Sequence, residues 1–222
     1  RIEGKNKKIK VKEMSVIEIG RILQASTTEF IVGCRIDQLT APGFGDLVRA
    51  PIEKDFAVYG LIYDIRIEED GLVRQMATIN PIEAAIIADN QVNRIVPIEM
   101  RVIVVGYKYK GQIKHQLPSR PALSLDSINL CSNEELIEFT TVGEFDYFRH
   151  LLRNNVLQGK DAPVGELIST HLKKAQDAHD EIGWYEKASK VIISMLRDDY
   201  ISLMIILEAL SNAFPNEENE HE

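Results

Sequence analysis

The chain has 222 residues, 45% of them hydrophobic and 27% charged, with a formal net charge of −8. That is enough material to bury a sizeable core as one large or two small domains, and the acidic balance disfavours a general grip on DNA or RNA, which needs lysines and arginines to neutralise phosphates, while leaving room for a local basic patch. Only two cysteines occur, Cys34 and Cys131, with no CxxC spacing, which excludes a disulfide framework and points to a reducing, cytoplasmic setting.

The opening stretch RIEGKNKKIKVK is basic but lacks the apolar core of a signal peptide, and residues 1–13 read as a solvated arm. GRILQASTTEFIVGCRI, residues 20–36, then folds as a hairpin about Ser26-Thr27-Thr28-Glu29, with Phe30, Val32, Cys34 and Ile36 alternating onto one buried face. APGFGDLVRAP supplies a turn and the short run Leu47-Val48-Arg49. FAVYGLIYDIRI places Tyr59, Leu61, Tyr63, Ile65 and Ile67 on one face and Asp64 and Arg66 on the other. IVPIEMRVIVVGYKY sets Val96, Ile98, Met100, Val102 and Val104 against Glu99 and Arg101 in the same way. Between these long strands NPIEAAIIADN, with Asn80 as N-cap and Pro81 at the first helical position, predicts a short helix over the barrel. Five or six strands punctuated by Gly and Pro predict a small closed barrel.

LPSRPALSLDSINLC carries Pro118 and Pro121 and reads as a linker or a last edge strand. Beyond it the period becomes helical. Ser132 and Glu135 fit a capping box, FDYFRHLLRNN supplies a helix, and Asp161-Ala162-Pro163 opens another with Val164, Leu167, Ile168, Leu172 and Ala175 at three-four spacing. GWYEKASKVIISMLRDDYISLMIILEAL gives one long helix or two short ones, broken at Asp198-Asp199. Its apolar run falls short of an uninterrupted membrane span. The tail NEENEHE is acidic and reads as disordered. The predicted fold is therefore α+β, with a basic arm at 1–13, a β-barrel at 14–126, a helical module at 127–212 and an acidic tail at 213–222, the two halves being separable at a junction between Leu117 and Ser132.

Catalytic signatures are sparse. No glycine loop ends in Lys-Ser or Lys-Thr, so no phosphate cradle for ATP is expected, and Gly43-Phe44-Gly45 reads as a turn. Cys34, among alternating apolar residues, reads as a buried filler. His115, His150, His171, His179 and His221 do not meet at ligand spacing, so no metal is expected. Asp198 and Asp199, adjacent in sequence, point in different directions and read as a solvated break.

GRILQASTTEFIVGCRI, PGFGDLVRA, YGLIYDIRIEEDGLVRQM, RIVPIEMRVIVVGYKYKGQI and LPSRPALSLDSINLCSNEEL together resemble the HAS-barrel, the N-terminal β-barrel shared by HerA-type DNA translocases and rotary ATP synthase subunits. The resemblance runs from near Met14 to Leu136. The motor that follows the barrel in HerA, with its phosphate-binding loop, has no counterpart in the helical half, so the chain is similar to stand-alone HAS-barrel proteins. The resemblance implies a non-catalytic adaptor without cofactors, docking a HerA-type ATPase or a NurA-type nuclease in DNA processing. A homo-oligomer is in keeping with the ring assemblies of that family, while the acidic charge argues against strong nucleic-acid binding and the interrupted apolar run against a membrane partner. The alternative is an OB-like binder of single-stranded nucleic acid, with bases stacked on Tyr59, Tyr63, Tyr107 or Tyr109.

Along Val191 to Leu210 apolar residues point in nearly every direction: Tyr200, Leu203, Met204 and Leu207 form one stripe and Ile201, Ile205 and Ile206 fall largely outside it. A helix apolar nearly all round needs cover on most sides. Ile201, Ile205 and Ile206 are therefore the expected partner-binding residues.

Overall fold

The computed structural model describes residues 17–34, 42–67, 83–85, 98–153, 162–179 and 183–214, with positions 75, 78, 157 and 181. The basic arm, the segment predicted as a helix at Asn80 (apart from Glu83 to Ala85), the Val96 and Ile36 ends of two strands, and the acidic tail after Phe214 lie outside the described residues.

Strands β1 (Ile17–Ala25), β2 (Glu29–Cys34), β3 (Leu47–Glu53), β4 (Phe56–Ile67), β5 (Ile98–Tyr109), β6 (Gln112–Lys114) and β7 (Ser127–Leu130) pair antiparallel throughout. Six of them close a ring in the order β1-β2-β5-β4-β3-β7, while β6 extends the sheet from the far end of β5. The predicted first hairpin is present: the Ser26 amide donates to the Glu29 carbonyl at 2.7 Å, and its hydroxyl accepts from the amides of Thr28 and Glu29 at 3.2 and 3.0 Å. Strand β7 lies past the expected barrel boundary at residue 126. It bonds to β1 on one side and β3 on the other, so it closes the barrel rather than forming an edge. Pro118 and Pro121 precede it in irregular chain, where the missing amide hydrogen costs no ladder bond.

Helices α1 (Asn133–Thr141), α2 (Phe148–Leu152), α3 (Val164–His179), α4 (Trp184–Met195) and α5 (Tyr200–Ala213) follow. The capping box forms as expected, Ser132 Oγ accepting from the Glu135 amide at 3.3 Å and the Glu135 carboxylate from the Ser132 amide at 3.1 Å. The Asp198-Asp199 break separates α4 from α5, and Asp199 caps α5 by accepting from the Ser202 amide at 3.1 Å and hydroxyl at 2.7 Å. Helix α3 is the hub of this layer, packing on α1, α2, α4 and α5. Among the described residues, no helix is long and apolar enough to cross a membrane.

Two cores result. Ile22, Phe30, Val32, Cys34, Val58, Ile62, Met100, Val102 and Val104 fill the barrel. Tyr59, Leu61, Tyr63, Ile103 and Val105 face outward from the same strands and join Phe139, Phe148, Leu151, Leu167, Ile168 and Leu172 of the helices in a second core. Strand β4 is therefore buried on both faces from Val58 to Tyr63, where simple alternation predicts one wet face. The predicted face is split by the register shift between Ile62 and Asp64: Ile65 and Ile67 pair with Met100 and Ile98, on the barrel-core side of the strand rather than the side of Tyr59, Leu61 and Tyr63, and are exposed at the strand end.

Candidate docking face

Helix α5 turns Ile206, Ala209 and Leu210 into the helical core, and Leu203 and Leu207 are half-buried. Its other side carries Tyr200, Ile201, Met204 and Ile205 at 70%, 74%, 47% and 57% exposure. The pairs 200/204 and 201/205 are each one turn apart, so these side chains form a continuous apolar stripe. Of the three expected docking residues, Ile201 and Ile205 lie on this stripe. Ile206, at 3% exposure, is core and has no surface to offer. Tyr200 and Met204 take its place, and the helical period alone did not distinguish the inward stripe from the outward one.

The stripe borders a groove of about 490 Å³ between α5 and the first turn of α3, lined by Pro163, Gly165, Ile205, Glu166, Glu208 and Asn212 among others. The two helices approach closely at Gly165: a Cβ there would stand 3.2 Å from the Ala209 Cβ and 3.3 Å from the Ile205 carbonyl oxygen. Glu166 and Glu208 line the groove, and Asp198 and Asp199 precede the stripe. The Asp199 carboxyl is held below its ordinary range by the two Ser202 hydrogen bonds.

A second cavity, of about 330 Å³, brings together Asp46, Cys131, His171 and Lys174. These residue types suit nucleophilic chemistry, but their environment does not. Burial pushes the Cys131 thiol well above its ordinary value, which keeps it protonated and unreactive. His171 is held down to about 4 by burial, and both its nitrogens are engaged, Nδ1 with the Gly45 carbonyl at 3.2 Å and Nε2 with the Tyr147 hydroxyl at 3.0 Å. Lys174 Nζ donates to the Phe44 carbonyl at 3.0 Å and to the Asp46 carboxylate. The group is a latch that fastens α3 to the Gly43-Phe44-Gly45 turn, whose Gly45 takes φ +79°.

Cys34 is a buried filler, as predicted, with burial raising its thiol to about 11. The described histidines serve the core: His115 Nε2 donates to the Phe139 carbonyl at 3.0 Å, His150 Nε2 to the His115 carbonyl at 3.2 Å, and His179 meets the Thr140 hydroxyl at 2.7 Å while stacking on Trp184. Among the described residues no group of three or more His, Cys, Asp or Glu could hold a metal ion. Of the four tyrosines considered for stacking, Tyr59 and Tyr63 are sealed beneath the helices, whereas Tyr107 is half-buried and Tyr109 is exposed. No protein-family model and no curated protein matches the chain.

Proposed function

We propose that the chain is a non-catalytic assembly subunit that docks a partner protein through the α5 face, the partner being of the HerA-type ATPase or NurA-type nuclease kind that the HAS-barrel resemblance implies. The observation that carries this reading is the apolar stripe Tyr200, Ile201, Met204 and Ile205, left uncovered beside a groove. Contiguous apolar surface of this kind, rimmed by polar residues, marks interaction sites. The closed barrel supports the reading as a rigid base, and the shifted thiol and imidazole of the second cavity favour a structural over a catalytic role there.

The test is co-purification of the full chain with HerA-type and NurA-type proteins encoded in the same genome, each in turn, followed by sedimentation of the mixture. A complex that forms with the wild type and is lost with Ile205→Glu is expected. If neither partner type is retained and Ile205→Glu sediments as the wild type at every concentration, the docking reading is wrong.

A further inference from the structure

We propose that the barrel mouth formed by the β3–β4 and β5–β6 hairpins binds a short stretch of single-stranded nucleic acid, with a base stacked on Tyr109 and phosphates held by Lys110 and Lys114. This site is separate from the α5 face and does not rest on the docking reading.

The strand register builds the platform. Phe56 pairs with Tyr109 and Val58 with Tyr107, while Tyr107 pairs with Lys114 and Tyr109 with Gln112. Paired residues of antiparallel strands share a face. Because Val58 points into the barrel core, the row Phe56, Tyr107, Tyr109, Gln112 and Lys114 lies on the inner face where that core ends. There β5 leaves β2 and takes β6 as its neighbour, and the row runs from buried Phe56 through half-buried Tyr107 to exposed Tyr109, Gln112 and Lys114. Phe56 fixes the two tyrosines edge-on, its centroid 5.8 Å from Tyr107 and 6.2 Å from Tyr109. The Lys110 amide donates to the Asp55 carbonyl at 2.9 Å and joins the two hairpin tips. Both Lys110 and Gly111 have positive φ, which makes the tip a tight two-residue turn.

Cations surround the rings. Lys110 Nζ stands 5.2 Å from the Tyr109 centroid, and the Arg120 guanidinium 5.9 Å from that of Phe56. Lys54, Lys110 and Lys114 have no ion pair among the described residues, while Arg120 is bound to Glu53 and Lys108 to Glu138 on the outer wall. A plain anion would use the lysines and leave the tyrosine faces idle, and a duplex keeps its base faces stacked inside. A single strand uses both, bases on rings and phosphates on lysines. Tyr107 and Tyr109 are separated by about 7 Å along the strand, a spacing suited to an extended, unstacked chain. The net charge of −8 opposes long-range attraction, so binding is weak and fades as salt rises.

The test is fluorescence anisotropy of the full chain with a labelled thymidine decamer and its uridine counterpart at low salt, beside a matching abasic strand and a duplex. Saturable binding of either single strand is expected, weaker for the abasic strand and the duplex. Tyr109→Ala should lower the affinity about 5- to 100-fold, Lys110→Gln with Lys114→Gln should flatten the salt dependence, and Ile205→Glu should leave binding unchanged. Amide shifts on wild-type protein, concentrated at residues 107–114, provide a readout that does not depend on any variant folding. The proposal is overturned by no saturable binding, by equal binding of the abasic strand or Tyr109→Ala, or by shifts confined elsewhere.

Discussion

His171 Nδ1 donates to the Gly45 carbonyl oxygen at 3.2 Å, a hydrogen bond that spans 126 positions of sequence and ties the hub helix to a barrel turn. A carbonyl can only accept, so the proton sits on Nδ1 and the bare Nε2 accepts from the Tyr147 hydroxyl. The neutral imidazole is therefore built into the junction of the two halves.

Acid should loosen that junction. The folded-state value of His171 is held near 4 by burial, assisted by Lys174, below the ordinary 6.5. The unfolded chain thus takes up a proton at higher pH than the folded one. The stability due to this group is whole above pH 6.5 and is lost as pH falls towards 4, by on the order of 3 kcal/mol at most. His115, His150 and His179 are also shifted down, burial being the first cause, and add to the same trend. Urea melts at intervals between pH 7 and 4 should show the decline, and His171→Gln should show a shallower one. Equal slopes in both proteins would mean that His171 does not carry it.

The helical half is expected to unfold together with the barrel. Tyr59, Leu61, Tyr63, Ile103 and Val105 are the floor of the helical core, although they belong to barrel strands. Removing the helices would expose them to water, at about 25 cal/mol for each Å² of apolar surface uncovered. Calorimetry should give one transition for the whole chain, and residues 17–131 alone should aggregate. Two resolved transitions, or a soluble, folded 17–131 fragment, would restore the separable junction that the prolines at 118 and 121 suggest.

Much of this architecture was legible because strand and helix periods differ. The first hairpin, the capping box at Ser132 and the break at Asp199 each depend on residues a few positions apart, and each forms as read. The double burial of β4 was not legible. In Val58-Tyr59-Gly60-Leu61-Ile62-Tyr63 both faces are apolar or glycine, but the sequence cannot show that helices from the other half cover one of them. The same limit applies to α5, whose apolar residues point nearly all round, so that Ile206 and Ile205 are alike in sequence and opposite in burial.

Gly60 should not tolerate a side chain. A Cβ there would collide with Val102 Cγ1 and stand 2.8 Å from the Ile103 carbonyl oxygen, at the bulge where the β4–β5 register shifts. Because the obstacles are a β-branched core residue and backbone, relief requires the strands to part. Gly60→Ala should destabilise the chain by about 1–3 kcal/mol through overpacking, read as a lower urea midpoint. An unchanged midpoint would mean that the strands yield at no cost.

The isoleucines of α5 allow docking to be separated from folding. Ile206 is buried against the helical core, so Ile206→Ala should cost about 2–5 kcal/mol, the range for large-to-small changes in a packed interior. Ile201, at 74% exposure, makes no such contribution in the isolated chain, and Ile201→Glu should change stability by no more than about 0.5 kcal/mol. The order reverses for association. A charge at 201 placed against an apolar partner would be buried without a counterion, and it should abolish any complex formed through this face. Melting curves and sedimentation of the two variants side by side make the comparison. Ile201→Glu that melts like the wild type and no longer assembles is the expected result, and Ile201→Glu that assembles normally would place the interface elsewhere on the chain.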